Sequence, residues 1–318
     1  MKSKRFTVYG LQFTVYEKHM FLQQLINGLT VGSVYALIAL GYTMVYGILG
    51  LINFAHGEIY MIGAYLGVIF FGIFTVIGLT ASNLPLSIIL TLTLSIVYSS
   101  AYGYTIEKIA YRPLRHAPRL SPLITALGVS IFLQNYVMLS QGAKDKVFPT
   151  ILSGGTAIGN ATVSYLQVFI MFTSLVLMVL LHLFVTKTRL GTAMRATAQD
   201  KKMASLLGIN VDNVISATFI IGSGLAAAGG MMIAMHYGLI NFYMGYVAGL
   251  KAFTAAVLGG IGSIPGAMLG GIVLGLVESL GAGYISSEYK DVFAFGILIL
   301  VLVFKPSGLL GENLQEKV

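Results

Sequence analysis

The chain has 318 residues, of which 57% are hydrophobic, only 9% are charged and 38 are glycine. A soluble domain usually carries about 25% charged residues, so this composition excludes a water-soluble globular protein and predicts an integral membrane protein. The net charge of +8 does not indicate nucleic-acid binding, because the basic residues lie in short loops between apolar runs, as the positive-inside rule describes. The absence of cysteine excludes disulfides, zinc–cysteine sites and thiol nucleophiles.

Long runs without charged residues predict the transmembrane helices. A spanning helix needs about 20 apolar residues, which gives eight predicted spans, at 21–41, 59–79, 86–106, 122–140, 165–186, 214–236, 264–282 and 291–305. Two leftover apolar stretches, 42–52 and 247–258, are too short to cross and are predicted to be half-helices or broken continuations covered by protein. The fold class is therefore all-α and polytopic. Residues 1–318 read as one membrane domain, without a cleavable signal peptide, linker or internal repeat.

Two basic loops predict the orientation. Residues 107–119 and 187–212 are rich in Lys and Arg, and two spans separate them, so both are expected in the cytoplasm. The Gly- and Ser-rich loop 141–162 is then external. The side of the N-terminus stays open, because its basic residues favour the inside whereas a single span over 21–52 would place it outside.

An Asn, a His and a Glu lie at the boundary of the first two apolar stretches. Polar and ionisable groups at membrane depth often mark a transport pathway, so Asn53, His56 and Glu58 are candidate pathway residues. Glu58 could equally lie in the first turn of a helix that begins near Gly57, where it would favour the helix dipole. A deaminase-like zinc site at His56 and Glu58 is excluded by the missing cysteines.

Glycine spacing predicts how the helices pack. GxxxG pairs allow close backbone approach in lipid, and we expect most of them to pack within the chain, with some faces open to a second membrane subunit. They are Gly28/Gly32, Gly63/Gly67, Gly245/Gly249, Gly266/Gly270 and Gly271/Gly275, together with the small-residue run 222–230.

The segment GGIGSIPG at 259–266 cannot sustain a regular helix. A tight turn between two helices is the favoured interpretation. The alternative is a functional helix break, as in transporters, which makes Gly259, Gly260, Gly262 and Ser263 further candidates for the pathway.

Other polar residues are expected to be structural. Glu278 is expected at the membrane interface, and Gln134 and Asn135 are expected to hydrogen-bond a neighbouring helix. The chain has no P-loop, G-x-S-x-G or H-E-x-x-H sequence. We therefore expect that this chain is not an enzyme and binds no metal or cofactor. Any energy source for transport must lie outside the chain.

The cytoplasmic segment 195–210 predicts a short amphipathic helix. Its apolar residues are Met203, Leu206 and Leu207, and Gly208 is a plausible stop. Such a helix either lies on lipid headgroups, which Lys201 and Lys202 would suit, or docks into a partner.

Six segments together resemble the permeases of branched-chain amino acid ABC transporters, in particular the subunit that pairs with a second, related permease. They are NGLTVGSVYALIALGY at 27–42, GLINFAHGE at 50–58, AYRPLR at 110–115, ASLLGIN at 204–210, AAVLGGIGSIPG at 255–266 and PSGLLG at 306–311. The resemblance covers about 21–311.

The resemblance implies two ATP-binding subunits, a second permease, an extracytoplasmic binding protein and a location in the bacterial inner membrane. Leucine, isoleucine or valine would be carried inward, with ATP bound by the partners. The coupling residues would be Ala204, Ser205, Leu206, Leu207 and Gly208, although the Glu-Ala-Ala of the wider superfamily is missing there.

Other transport classes stay open. Relatives of this type also move urea, amides or other amino acids. An ion-coupled secondary transporter would need membrane-embedded carboxylates, for which only Glu58 and Glu278 are candidates, and an intramembrane enzyme would need a nucleophile near His56 and Glu58.

Overall fold

The computed structural model describes residues 3–115, 117–118, 120–159 and 161–311, with side chains from residue 20 onward. In chain order its α-helices are α1 (Ser3–Leu49), α2 (His56–Val76), α3 (Leu79–Ser82), α4 (Leu84–Ile106), α5 (Leu120–Gln141), α6 (Tyr165–Lys187), α7 (Arg189–Gln199), α8 (Lys201–Leu206), α9 (Val211–Tyr237), α10 (Met244–Gly259), α11 (Ile264–Tyr284) and α12 (Lys290–Phe304). A π-helical turn, Glu107–Tyr111, and a 3-10 turn, Arg112–Leu114, extend α4, and a 3-10 turn, Ser287–Tyr289, precedes α12.

Four short strands lie in the loops between helices. They are β1 (Lys146–Val147), β2 (Gly155–Ile158), β3 (Ala161–Ser164) and β4 (Leu239–Ile240). Strands β2 and β3 form an antiparallel hairpin with Gly155 opposite Ser164. Strands β1 and β4 are also antiparallel, with Lys146 opposite Ile240. The predicted external loop 141–162 is therefore partly ordered as β-structure.

Seven helices in the described part of the chain are long and apolar enough to cross a membrane: α2, α4 with its extension, α5, α6, α9, α11 and the Met20–Leu49 part of α1. This confirms the all-α polytopic fold. The predicted eighth span, 291–305, coincides with α12, which has only 15 residues. The leftover stretch 42–52 continues α1 without a break to Leu49, and 247–258 forms the 16-residue α10.

Helix α1 contacts, at its two ends, the two loops whose sides the sequence predicts to be opposite. At one end, Gln23 donates a hydrogen bond from Nε2 to the carbonyl oxygen of Thr162, 3.2 Å away. At the other end, the carbonyl oxygen of Leu49 accepts one from Nζ of Lys201 at 3.3 Å. With loop 141–162 external and loop 187–212 cytoplasmic, as the positive-inside rule predicts, the Met20 end of α1 lies on the predicted external side.

Close contacts between backbones hold the centre of the bundle together. A Cβ atom added to Gly271 of α11 would lie 2.3 Å from the backbone nitrogen of Ala36 in α1, and one added to Gly275 would lie 2.3 Å from Cα of Gly32. A Cβ atom added to Gly63 of α2 would lie 2.3 Å from Cα of Ala227 in α9. Glycine is required at these positions, which confirms the predicted packing within the chain.

The segment 259–266 forms a tight turn between α10 and α11. Gly260 and Gly262 have φ angles of +104° and +98°, which only glycine adopts readily, and Oγ of Ser263 caps α11 by accepting from the amide of Gly266 at 3.1 Å. The backbone amides of Leu309 and Leu310 donate to the carbonyl oxygens of Leu258 and Gly259 at 2.8 and 2.9 Å. The carbonyl groups at the end of α10 thus accept hydrogen bonds from the segment PSGLLG at 306–311.

Candidate functional site

The connection between α6 and α9, which is predicted to be cytoplasmic, contains two helices rather than the single helix expected. Asp200 separates α7 from α8, because its Oδ1 accepts from the backbone amides of Lys202 and Met203 at 2.8 and 3.0 Å. This N-cap starts a new helix at Lys201. The candidate coupling residues, Ala204 to Gly208, lie together at the end of α8.

Gly208 ends α8 for a backbone reason. Its φ angle is +82°, its amide donates to the carbonyl oxygen of Ser205 at 3.0 Å, and the amide of Ile209 donates to that of Ala204 at 3.0 Å. These two bonds form a Schellman motif, in which the residue with positive φ is usually glycine. The predicted stop is confirmed, and any side chain at position 208 would strain the end of α8.

The tip of α8 exposes large apolar side chains. The exposed fractions are 58% for Met203, 82% for Leu206 and 79% for Leu207, whereas Ala204 is buried against the bundle. Ser205 is exposed beside a cavity of about 950 Å³ that lies between α8 and the cytoplasmic ends of α1, α4 and α9. An apolar tip on a basic cytoplasmic loop is the kind of surface that docks into a partner or a lipid headgroup layer.

Ionic contacts line one wall of this cavity. Arg115 pairs with both Glu107 and Asp212 and so joins the end of α4 to the start of α9. The carboxylate of Glu107 is fully buried and also accepts from Oγ of Ser216 at 2.6 Å. Burial lowers the pKa of the Lys201 ammonium, and the positive charge of Arg115 lowers it further.

The cavity reaches the candidate pathway residues through a tyrosine. Tyr111 lines the cavity, and its hydroxyl donates to Oδ1 of Asn53 at 2.6 Å. The same oxygen accepts from the backbone amide of Ala55 at 3.1 Å and so shapes the turn before α2. Asn53 is thus the link between the cytoplasmic cavity and the first turn of α2.

Glu58 lies in the first turn of α2. This is the position that the structural interpretation of Glu58 predicts, the alternative being a role in the pathway. Its side chain is fully buried, and Oε1 accepts from Oγ of Ser130 at 2.9 Å and from Nε2 of Gln134 at 2.7 Å. Oε2 has no hydrogen-bond partner among the described residues. The Gln134 contact confirms the expected bond between helices, whereas the expectation for Asn135 was wrong, because its amide bonds the carbonyl oxygen of Ile131 in its own helix.

His56 is packed between α1 and α9. Its ring lies edge-on to Tyr42, with 4.8 Å between centroids, and a Cβ atom added to Gly41 would lie 2.2 Å from Nε2. Nε2 has no hydrogen-bond partner among the described residues. Asn53, His56 and Glu58 thus begin the same segment but contact different partners, and the Gly259–Ser263 turn is a separate feature beside Gly47 of α1.

A buried ionic cluster was missed by the sequence. Glu278, which was expected at the membrane interface, is buried within the protein, with Oε1 2.9 Å from Nζ of Lys251 and Oε2 accepting from the hydroxyl of Tyr35 at 2.8 Å. Lys251 also pairs with Asp291 at 2.7 Å. A lysine in the middle of an apolar helix was the signal, since such a charge needs a nearby partner.

Comparison with known proteins identifies the family. A family model described as the permease component of branched-chain amino acid transport systems matches residues 24–302. The chain belongs to this permease family. BraD of Pseudomonas aeruginosa, a high-affinity branched-chain amino acid transport system permease protein, is 55% identical over 95% of this chain and 99% of its own length.

Two further relatives carry similar names. LivH of Escherichia coli K12, another high-affinity branched-chain amino acid transport system permease protein, is 51% identical over 94% of this chain and 98% of its own length. A probable branched-chain amino acid transport permease protein of Methanocaldococcus jannaschii is 25% identical over 88% and 89%. No solved structure matches the chain. The chain is thus a multi-pass membrane protein of a transport system.

Proposed function

We propose that this permease carries branched-chain amino acids into the bacterial cell as one membrane subunit of an ABC importer. A second related permease would complete the pathway, an extracytoplasmic binding protein would deliver the cargo, and two separate ATP-binding subunits would supply energy. The names of BraD and LivH support the cargo. The absence of a P-loop in the sequence supports an external energy source.

The exposed apolar tip of α8 carries the proposal for coupling. Leu206 and Leu207 are each about four-fifths exposed on the cytoplasmic side, where a soluble ATP-binding subunit has access. Burying them in a partner would gain about 1.5–3 kcal/mol for each side chain. Three neighbouring residues would hold this tip in position. Ala204 is buried against the bundle, Ser205 lies in the wall of the cavity, and Gly208 ends α8 in the Schellman motif.

Movement at α8 has a short route to the membrane-embedded residues. Lys201 of α8 bonds the carbonyl oxygen of Leu49 at the end of α1, and Ser205 shares the 950 Å³ cavity with Tyr111. A shift of α8 would therefore change the walls of the cavity that Tyr111 lines, and the hydroxyl of Tyr111 bonds Asn53. Such rigid-body movement of a packed element is a common switching mode.

Asn53, His56 and Glu58 are proposed to line the route for cargo, with the Gly259, Gly260, Gly262 and Ser263 turn as a hinge between α10 and α11. The unpartnered Nε2 of His56 and Oε2 of Glu58 support this assignment, because buried polar atoms without partners are rare and are often functional.

Reconstitution tests the proposed function. Proteoliposomes that contain this chain, the second permease and both ATP-binding subunits should accumulate labelled leucine only with ATP and loaded binding protein. Proteoliposomes that contain this chain alone should accumulate none. Accumulation by the single chain, or by the full set without ATP, would refute the importer.

A double variant tests the coupling surface. Leu206→Asp with Leu207→Asp should abolish ATP-driven uptake, while the variant chain still inserts and purifies as the native chain does, because both side chains are exposed. Ile158→Asp is the matched control, since Ile158 is 57% exposed in the external hairpin and its uptake should stay normal. Normal uptake by the double variant would remove α8 from the coupling mechanism.

A further inference from the structure

A second cavity lies at the external end of the bundle. Its volume is about 200 Å³, and its walls come from α1, α9, α11 and the start of α12. It is external because Gln24 and Asn27, which line it, belong to the end of α1 that contacts Thr162. A typical pocket for a drug-sized ligand measures about 300–1,000 Å³, so this cavity suits one smaller molecule.

A buried carboxylate forms part of the cavity wall. Glu278 is 5% exposed and accepts from Lys251 and Tyr35, at 2.9 and 2.8 Å. Lys251 keeps a second carboxylate partner, Asp291, at 2.7 Å. If a bound ammonium group replaced Lys251 at Glu278, Lys251 would still be paired. The cluster therefore permits an exchange of partners that a simple buried ion pair would forbid.

A lysine and a histidine line the same cavity. The side chains of Lys290 and His236 are half-buried there, and neither side chain has a hydrogen-bond partner within the described ranges. A structural ion cluster of Lys251, Glu278 and Asp291 requires neither of them. The ammonium of Lys290, with no described acceptor, lines the same small cavity as the Glu278 carboxylate, and this pair matches a ligand that carries both charges.

We propose that this cavity binds the charged head group of an α-amino acid on the external side, with the ammonium at Glu278 and the carboxylate at Lys290. The proposal rests on the proposed function, because it assigns the entry site for the same cargo. Asn53, His56 and Glu58 offer no such pairing, since none of their side-chain hydrogen bonds within the described residues involves Lys or Arg.

Cysteine protection tests the proposal in a chain that has no native cysteine. Ala282, which lines the cavity, would be changed to cysteine in the assembled transporter and labelled from outside with a membrane-impermeant methanethiosulfonate, without ATP. Leucine should slow the labelling several-fold. Leucinamide, which lacks the carboxylate, and 4-methylpentanoate, which lacks the ammonium, should protect much less.

Charge variants show which contacts produce the protection. In the Ala282→Cys chain, Lys290→Gln should raise the leucine concentration for half-protection about tenfold or more, as expected for the loss of a hydrogen bond to a charged group. Lys144→Gln removes an exposed positive charge from the external loop and should leave protection unchanged. An Ile158→Cys chain, labelled in the external hairpin, should show no effect of leucine.

The outcomes separate this proposal from the proposed function. ATP-driven leucine uptake would be measured on the same Ala282→Cys assembly. If uptake proceeds but leucine gives no protection, or if both analogues protect as well as leucine does, the cavity assignment is wrong and the importer stands. If uptake itself needs no ATP, the proposed function fails whatever the labelling shows.

Discussion

Helices α9 and α5 have almost the same mean hydropathy, but they are buried to very different extents. In the most apolar 18-residue segment of each helix, 89% is buried in α9 and only 28% in α5. The difference lies in side-chain size. Helix α9 contains the run GSGLAAAGG at 222–230, whereas α5 contains a single glycine, Gly128, with open space around it. In a membrane, hydropathy does not decide which helix lies at the centre of the bundle, because lipid and protein interior are equally apolar. Small residues decide it, since they allow the backbones of two helices to come into contact.

The largest expected effect comes from adding one methyl group at the centre. Gly271→Ala should destabilise the chain by about 3 kcal/mol or more, because the new Cβ would lie 2.3 Å from the backbone nitrogen of Ala36 and backbone atoms must shift. The midpoint of thermal unfolding in detergent measures this. Gly128→Ala on peripheral α5 is the control and should be neutral or stabilising by up to about 1 kcal/mol. Equal effects at the two glycines would contradict the packing account.

A smaller loss is expected where the cytoplasmic end of α4 meets α9. Arg115→Gln should cost about 3 kcal/mol, because it leaves the buried carboxylate of Glu107 without its cation. Arg112→Gln should cost about 0–1 kcal/mol, since the pair of Arg112 with Asp212 is nearly half exposed on both sides. Denaturation of the two variants compares them directly. A larger loss for Arg112→Gln would show that Arg115 is not the connecting residue.

The attachment of the peripheral helix should show the smallest effect. Gln134→Leu removes a 2.7 Å bond to Glu58 and should cost about 1–3 kcal/mol, with faster amide exchange in α5 and unchanged exchange in α9. Asn135→Leu is the matched control, because the Asn135 amide bonds the carbonyl oxygen of Ile131 in its own helix. If the two variants loosen α5 equally, the Glu58 contact does not hold it.

The sequence predicted features that depend on local pattern. Charge-free runs located the spanning helices, GGIGSIPG predicted the turn, and Gly208 predicted the end of α8. Pairings between distant residues were not predicted. Tyr35 and Glu278 are separated by 243 positions, so hydropathy alone could not pair them, although Lys251 indicated that a carboxylate partner was needed. The neighbouring amides of Gln134 and Asn135 look alike in sequence, and only helix rotation decides which one faces Glu58.

The central claim is that a cytoplasmic partner moves this permease at the tip of α8. The absence of native cysteine allows a direct measurement: Leu206→Cys would be cross-linked in membranes that contain the assembled transporter, with a short bifunctional thiol–amine reagent. The account predicts a covalent adduct with an ATP-binding subunit, and none for Ile158→Cys in the external hairpin. An adduct at Ile158→Cys with no adduct at Leu206→Cys would contradict both the coupling role of α8 and its cytoplasmic side.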